Sequence, residues 1–299
     1  MKRMVKLLCL SVMLLLVLTG AAMAEDKVIK MSTTTSTQAS GLLDVLLPEF
    51  TKDTGIQVKV VAKGTGAAIR DGQDGNVDVI FVHAKAREEA FVAEGWGTKR
   101  YAVMHNDFII LGPAKDPAGT KGEKDVAKAL VKIAKSGSPF ISRGDDSGTH
   151  TKEQELWKDS GLELETKTQK IMKGDKEVEI KYTAPKGDWY LSIGQGMGKT
   201  LTMAEEKQAY TLSDRGTFIK YKYGKQPPID LDIMVEGDER LANPYGVIPI
   251  NPAKYPHVKY DLAETFAKWL VSERGQSVIA NYKLEGKQLF FPDAIPNVK

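Results

Sequence analysis

Val28-Ile29-Lys30-Met31, then Ser32-Thr33-Thr34-Thr35-Ser36-Thr37, then from Gly41 the residues Leu42, Leu43, Val45, Leu46 and Leu47 form the stretch whose reading decides this fold. The apolar tetrapeptide reads as a buried parallel strand, and the leucine-rich segment as the buried face of a helix. Six consecutive hydroxyl side chains therefore occupy a strand-to-helix connection. A helix start offers amides with no intrahelical acceptor, and its dipole adds positive potential, so the connection is an anion site in outline. Taken alone, the run reads equally well as a Ser/Thr-rich turn with one N-cap.

The same pattern follows downstream. Residues 56–62 read as a second strand ending in Lys63-Gly64-Thr65-Gly66, whose glycines let backbone approach a ligand. This is again the carboxyl end of a parallel strand, the edge where open α/β sheets bind ligands. A short helix over 67–71, a strand over 77–83 and a helix over 87–94 complete a doubly wound unit. Pro48 is expected to kink or split the helix between Gly41 and Gly55. Residues 71–76 resemble a calcium loop but lack its ligand spacing and closing Glu, and read as a turn.

Residues 101–104 and 108–113 are apolar and extended, and the polar 115–119 linker marks a lobe boundary. A helix over 126–135 and a strand over 139–141 then deliver Ser142-Arg143-Gly144-Asp145-Asp146-Ser147-Gly148-Thr149-His150 to a helix running through Trp157. A second anion-type helix start thus carries an arginine at its strand end. Facing the first across a cleft, it would complete a cage of neutral donors and one guanidinium. Residues 163–181 read as charged surface, and 187–207 as a flexible connection entering a helix. Strands follow at 209–212, 229–235 and 245–250, with helices at 213–222, 262–271 and 275–282. The strand at 245–250 is the return crossing, which gives a discontinuous first lobe of residues 25–111 and 243–299 and a second lobe of residues 112–242.

Lys2, Arg3 and Lys6, the apolar run over 5–18 and Ala22-Met23-Ala24 ahead of Glu25 read as a cleaved secretory signal peptide, residues 1–24. The run is short for a membrane span, so the expectation is an exported, periplasmic protein. Cys9 is the single cysteine and lies in this leader, leaving the mature chain no disulfide, thiol nucleophile or thiolate metal ligand. Of 42 Lys+Arg, three lie in the leader, so the remainder equals the 39 Asp+Glu. A neutral chain lacks the positive surplus that nucleic acid or an acidic membrane requires. His83, His105, His150 and His257 show no pair at metal-ligand spacing and read as surface or locally hydrogen-bonded.

Thr33-Thr34-Thr35-Ser36-Thr37 after the first strand, Asn106-Asp107-Phe108-Ile109-Ile110-Leu111-Gly112-Pro113 at the lobe crossing and the Arg143-to-His150 stretch together resemble the tungstate-binding proteins of bacterial ABC importers, the TupA-like family. The resemblance extends over essentially the whole mature chain, and the last stretch is its most specific part. It implies an α/β, two-lobed periplasmic binding protein of the type II-like kind, each lobe a mainly parallel sheet flanked by helices, with the ligand in the inter-lobe cleft. It further implies a monomer that hands tungstate or molybdate to an ABC membrane permease, with no catalytic residue and no cofactor. Carried onto this sequence, the oxyanion ligands are Thr34, Thr35 and Ser36 with Arg143, Ser147, Gly148 and Thr149. Thr65 is added from the reading of the residues themselves.

Tungstate and molybdate carry no proton at neutral pH, so a matching site offers donors only, whereas phosphate retains a proton and calls for an acceptor. Asp145 and Asp146 are accordingly read as orienting Arg143 or capping the helix from Thr149, and a carboxylate that reached the ligand would favour phosphate. About six hydrogen bonds to a charged ligand, at roughly 1.5 to 3 kcal/mol each, reach the order of 10 kcal/mol before association costs. Nanomolar capture needs about 12 kcal/mol, which makes tight binding feasible without a metal. Sulfate or phosphate binding is the alternative within this class. A secreted hydrolase with Ser147 as nucleophile, His150 as base and Asp146 as orienter is the alternative from another class. Against it stand the single helical turn shared by Ser147 and His150 and the missing Gly-x-Ser-x-Gly elbow.

Overall fold

The structure, a computed structural model, describes residues 27–173 and 176–295. The expected signal peptide with its Ala22-Met23-Ala24 cleavage site and Cys9 lies outside the described residues.

The chain begins β1 (Val28–Thr34), α1 (Thr35–Ala39), α2 (Leu42–Thr54), β2 (Gln57–Lys63), α3 (Thr65–Gln73), β3 (Val79–Val82) and α4 (Lys85–Ala93). β1 pairs in parallel with β2 on one edge and β3 on the other. Both faces of this unit are covered, which is why Val79, Ile80, Phe81 and Val82 are all fully buried. Leu42, Leu46 and Phe50 of α2 pack beneath β1, with Phe50 edge-on to Phe266 at 4.9 Å. Ala68, Ile69 and Phe91 of α3 and α4 cover the opposite face. Fully burying each such large apolar side chain contributes about 1.5 to 3 kcal/mol. Of the kink or split expected at Pro48, the split does not occur: α2 runs unbroken from Leu42 to Thr54. Proline removes one intrahelical hydrogen bond, and a face with Leu42, Leu43, Leu46 and Phe50 buried holds the helix together across the gap.

β4 (Tyr101–Gly112) is one strand of 12 residues where the sequence suggested two segments. The polar His105-Asn106-Asp107 between them marks a change of partner. Residues from Tyr101 to Asp107 pair antiparallel with β11 (Ala242–Pro249), and residues from Phe108 to Leu111 pair antiparallel with β9. After β4 come α5 (Val126–Ser136), β5 (Phe140–Ser142), α6 (Gly148–Asp159), β6 (Leu164–Lys173), β7 (Lys176–Pro185), β8 (Tyr190–Ser192), α7 (Met197–Glu206), β9 (Tyr210–Asp214), α8 (Arg215–Tyr223) and β10 (Asp232–Val235). β5 pairs in parallel with β8 and β9. The sheet order is β2-β1-β3-β11-β4-β9-β5-β8, with β10 also on β4. Two parallel triplets, centred on β1 and β5, are therefore joined back to back through antiparallel β11 and β4.

The second triplet has its own cores. Phe140, Trp157, Tyr190 and Tyr210 pack with α5 and α6 on one face, and Ile141, Leu201 and Phe218 with α7 and α8 on the other. α8 bridges the halves, since its Ile219 belongs instead to the core under β1. At the junction Arg215 grips Asp107 with two 2.6 Å hydrogen bonds and reaches Glu236 at 2.7 Å. α9 (Tyr260–Leu270) and α10 (Glu273–Asn281) return to pack on the first half. The two-residue strands β12 (Lys283–Leu284), β13 (Lys287–Gln288) and β14 (Phe291–Pro292) close the described chain.

Residues 163–181, expected as charged surface, lie largely at the surface and form the antiparallel ribbon of β6 and β7, outside the main sheet. The helix expected within 187–207 is α7, and the connection entering it, expected as flexible, contains β8.

Candidate anion-binding cleft

Three neighbouring parallel strands end on one wall. β1 runs out into Thr34 and α1, β2 into Lys63-Gly64-Thr65 and α3, and β3 into His83. β5 ends opposite, delivering Arg143 and the first turn of α6. Thr34, Thr35, Ser36, Thr65, Arg143, Ser147, Gly148 and Thr149 all line a single cleft of about 1380 Å³. The structure therefore brings all eight sequence-predicted residues together.

The hydroxyl run divides by role. Ser32 and Thr33 are buried, donating to Asp71 Oδ2 at 2.9 Å and to the Phe81 carbonyl at 2.6 Å, so they fasten β1 to its neighbours. Thr34 caps α1 by accepting the Thr37 amide at 3.1 Å. Its Oγ1 also meets Ser36 Oγ at 3.1 Å and Thr37 Oγ1 at 2.6 Å. Thr35 and Ser36 are exposed to the cleft, in the short α1 and not in an irregular loop as expected. Thr65 opens α3, whose N-cap Gly64 supplies no side-chain acceptor.

On the opposite wall Gly144 takes φ +59°, and a β-carbon there would stand 1.9 Å from Ser192 Oγ, so this turn requires glycine. The turn folds Asp145 onto Arg143, with Nε at 3.1 Å and Nη2 at 2.5 Å from Asp145 Oδ2. Arg143 Nη1 lies 3.4 Å from Thr149 Oγ1. Asp145 Oδ1 also accepts the Ser147 amide at 3.3 Å, and Ser147 caps α6 by accepting the His150 amide. Asp145 thus orients the guanidinium, while Ser147 and not an aspartate side chain caps the helix. Asp146 lines the cleft itself. No hydrogen-bond acceptor is found among the described residues for the amides of Gly148 and Thr149, which open α6.

The hydrolase arrangement is not assembled. His150 Nδ1 accepts the Asp146 amide at 3.1 Å, and its Nε2 is buried without a partner. The ring therefore does not meet Ser147 Oγ, which is engaged by the His150 backbone amide.

The sequence reading missed His83. Its Nε2 lies 3.1 Å from Thr34 Oγ1 and 3.2 Å from Ser36 Oγ, and its Nδ1 lies 3.1 Å from Asn243 Oδ1. Asn243 Nδ2 in turn donates to Asn106 Oδ1 at 2.7 Å, and the Tyr245 ring packs on the imidazole at 4.6 Å. Burial holds the His83 pKa below the usual histidine value. One signal was available, because His83 ends the strand next to β1 on the ligand-facing edge. Its partners, separated by 160 residues in one case, were not foreseeable from spacing.

The lining carries Lys63, Arg70, Lys85, Arg87, Arg143, Lys152 and Lys220 against Glu89, Asp146, Glu155, Asp214 and Glu239, a cationic surplus in a chain otherwise balanced. Behind each wall a buried glutamate is pushed up to about 7 by burial. Glu88, under the first, accepts from the Ala84 amide and from Arg100 Nε at 2.7 Å. Glu153, under the second, accepts from Tyr190 Oη at 2.7 Å and Trp157 Nε1 at 3.2 Å. The arrangement supplies hydroxyls, amides and cations converging on one volume, which suits a small anion.

Comparison with known proteins agrees with this geometry. A PBP superfamily domain matches residues 21–274. The tungstate-binding protein TupA of Peptoclostridium acidaminophilum is 47% identical, the alignment covering 98% of this chain and 99% of the relative. The protein of the same name from Campylobacter jejuni is 41% identical, over 87% of this chain and 88% of its own. Among solved structures, the tungstate-binding protein TupA from Desulfovibrio alaskensis superposes with a TM-score of 0.80 at 47% identity, covering 90% of this chain and 99% of that one. This chain belongs with these relatives, in the TupA family of the periplasmic-binding-protein superfamily.

Proposed function

We propose that this protein captures tungstate, or molybdate, between lobes formed by residues 25–111 with 243–299 and by residues 112–242, and delivers it to an ABC permease. The convergence of Thr34, Thr35, Ser36 and Thr65 with Arg143, Ser147, Gly148 and Thr149 on one cleft is the observation that carries this reading. The donors are hydroxyls, amides and a guanidinium aimed by Asp145, a set matched to an anion that has no proton to give. The cleft is many times larger than a four-oxygen anion, so simultaneous contact requires the walls to approach. α8, with one residue in each core, and the β4 partner switch form the natural hinge. The leader over residues 1–24 would place the monomer in the periplasm, where such capture is useful.

A second reading rests on Asp146, which lines the cleft and could accept a proton-bearing oxygen of phosphate. Titration calorimetry with tungstate, molybdate, sulfate and phosphate separates the two. Strong heats with the first two and none with phosphate support the proposal; the reverse order replaces it with the phosphate reading.

A further inference from the structure

The wall built from β1 and β3 has a proton inventory that does not suit its ligand as it stands. Asn243 Nδ2 donates to Asn106 Oδ1, which turns the Asn243 oxygen toward His83 Nδ1. An amide oxygen brings no proton, so Nδ1 must carry one, and the bare nitrogen of the neutral ring is Nε2. Nε2 faces Thr34 Oγ1 and Ser36 Oγ. Thr34 Oγ1 already accepts the Thr37 amide. It also shares a 2.6 Å hydrogen bond with Thr37 Oγ1, so the hydroxyl proton directed at the imidazole is that of Ser36, and a lone pair from that oxygen is directed at the cleft. A dianion without protons meets an acceptor where it requires a donor.

We infer that His83 is a positioning residue that takes up one proton from solvent when the dianion binds. The proton goes to Nε2, which then donates to the hydroxyl oxygens and frees the Ser36 proton to face the ligand. No group but solvent need supply it, and the added positive charge offsets half of the incoming dianion. This inference rests on the oxyanion-binding reading of the same cleft.

The surroundings permit the change of state. Burial lowers the His83 pKa, against the opposing hydrogen bond to Asn243 and the charge of Asp214, the N-cap of α8, so the ring is neutral until further negative charge arrives. From α4, Lys85 and Arg87 line the same cleft, and Glu88 is turned away onto the Ala84 amide and Arg100. From β11 the neutral Asn243 and Tyr245 face the ring, and from β4 Asn106 backs Asn243. Elsewhere the cleft carries the cations Lys63, Arg70, Arg143, Lys152 and Lys220 and the carboxylates Glu89, Asp146, Glu155 and Glu239.

The test is titration of the purified protein with sodium tungstate between pH 7 and 9, where the anion is fully deprotonated, in buffers of differing ionisation enthalpy. Uptake of about one proton is expected, with affinity falling about tenfold per pH unit as pH rises. His83→Gln, whose amide can donate to the same hydroxyls without titrating, should still bind with uptake near zero and a flat pH profile. Nitrogen NMR of the wild-type imidazole gives a readout independent of that variant: Nε2 bare without tungstate and protonated with it. Binding without proton uptake, an unchanged pH slope in His83→Gln, or an Nε2 that stays bare in the complex would each overturn the inference while leaving the function intact. No tungstate binding by the wild type at any pH would overturn the functional reading, and this inference with it.

Discussion

The two walls of the cleft are built on the same plan and held in opposite ways. Each is the carboxyl end of a central parallel strand running into hydroxyls and a helix start. At the end of β1 the ligand-facing groups are uncharged hydroxyls, positioned by an imidazole backed by two asparagines and a tyrosine ring. The β5 wall is charged, and its guanidinium is positioned by a carboxylate two residues away. The difference teaches a division of labour. A short-range ion pair fixes a strong donor within one turn of chain, whereas uncharged hydroxyls need partners from distant strands to set the direction of each proton.

The comparison breaks most visibly at Arg143. Arg143→Gln removes the part-buried guanidinium at the end of β5 and leaves Asp145 uncompensated. Tungstate affinity should fall by about 4 kcal/mol, roughly a thousandfold, in calorimetry. An unchanged dissociation constant would remove Arg143 from the site.

A second effect concerns what lies behind the walls. Glu153 has its folded pKa raised to about 7 from 4.5, so the fold favours its protonated form. That contribution is fully present below 4.5 and is lost as pH rises through 7, at a cost on the order of 3 kcal/mol. His83 and His150, both held low by burial, act in the opposite sense and cost stability as pH falls below 6.5. Glu153→Gln should therefore gain on the wild type in thermal unfolding between pH 5 and pH 8. A constant difference across that range would show that Glu153 is ionised at no cost.

The smallest effect belongs to the rim. Arg70 and Arg87 lie on the cleft, both against Gly66, and neither has an ion-pair partner among the described residues. Arg87→Gln should lower the tungstate association rate a few-fold at low salt and leave it unchanged at high salt, as measured by stopped-flow fluorescence. Equal rates at both ionic strengths would deny it a steering role.

How much of this could be read beforehand follows from range. Each strand-hydroxyl-helix unit is local, and the patterns around Thr34, Thr65 and Arg143 were legible for that reason. α1 was not, because a five-residue helix has no apolar period to announce it. β4 read as two segments because the polar His105-Asn106-Asp107 falls where the strand exchanges β11 for β9, a tertiary event invisible to local hydropathy. The β6–β7 ribbon was taken for plain charged surface because its outward residues are charged and it lies apart from the main sheet. His83 was passed over because its meaning depends on Asn243, which the chain supplies only on its return.

The most direct test of the account is anomalous diffraction at a tungsten edge from crystals grown with tungstate. The account predicts one strong peak between the walls, with oxygens in hydrogen-bonding reach of both the Thr34–Ser36 hydroxyls and Arg143. A peak bound by one wall alone, or lying outside the cleft, would contradict it.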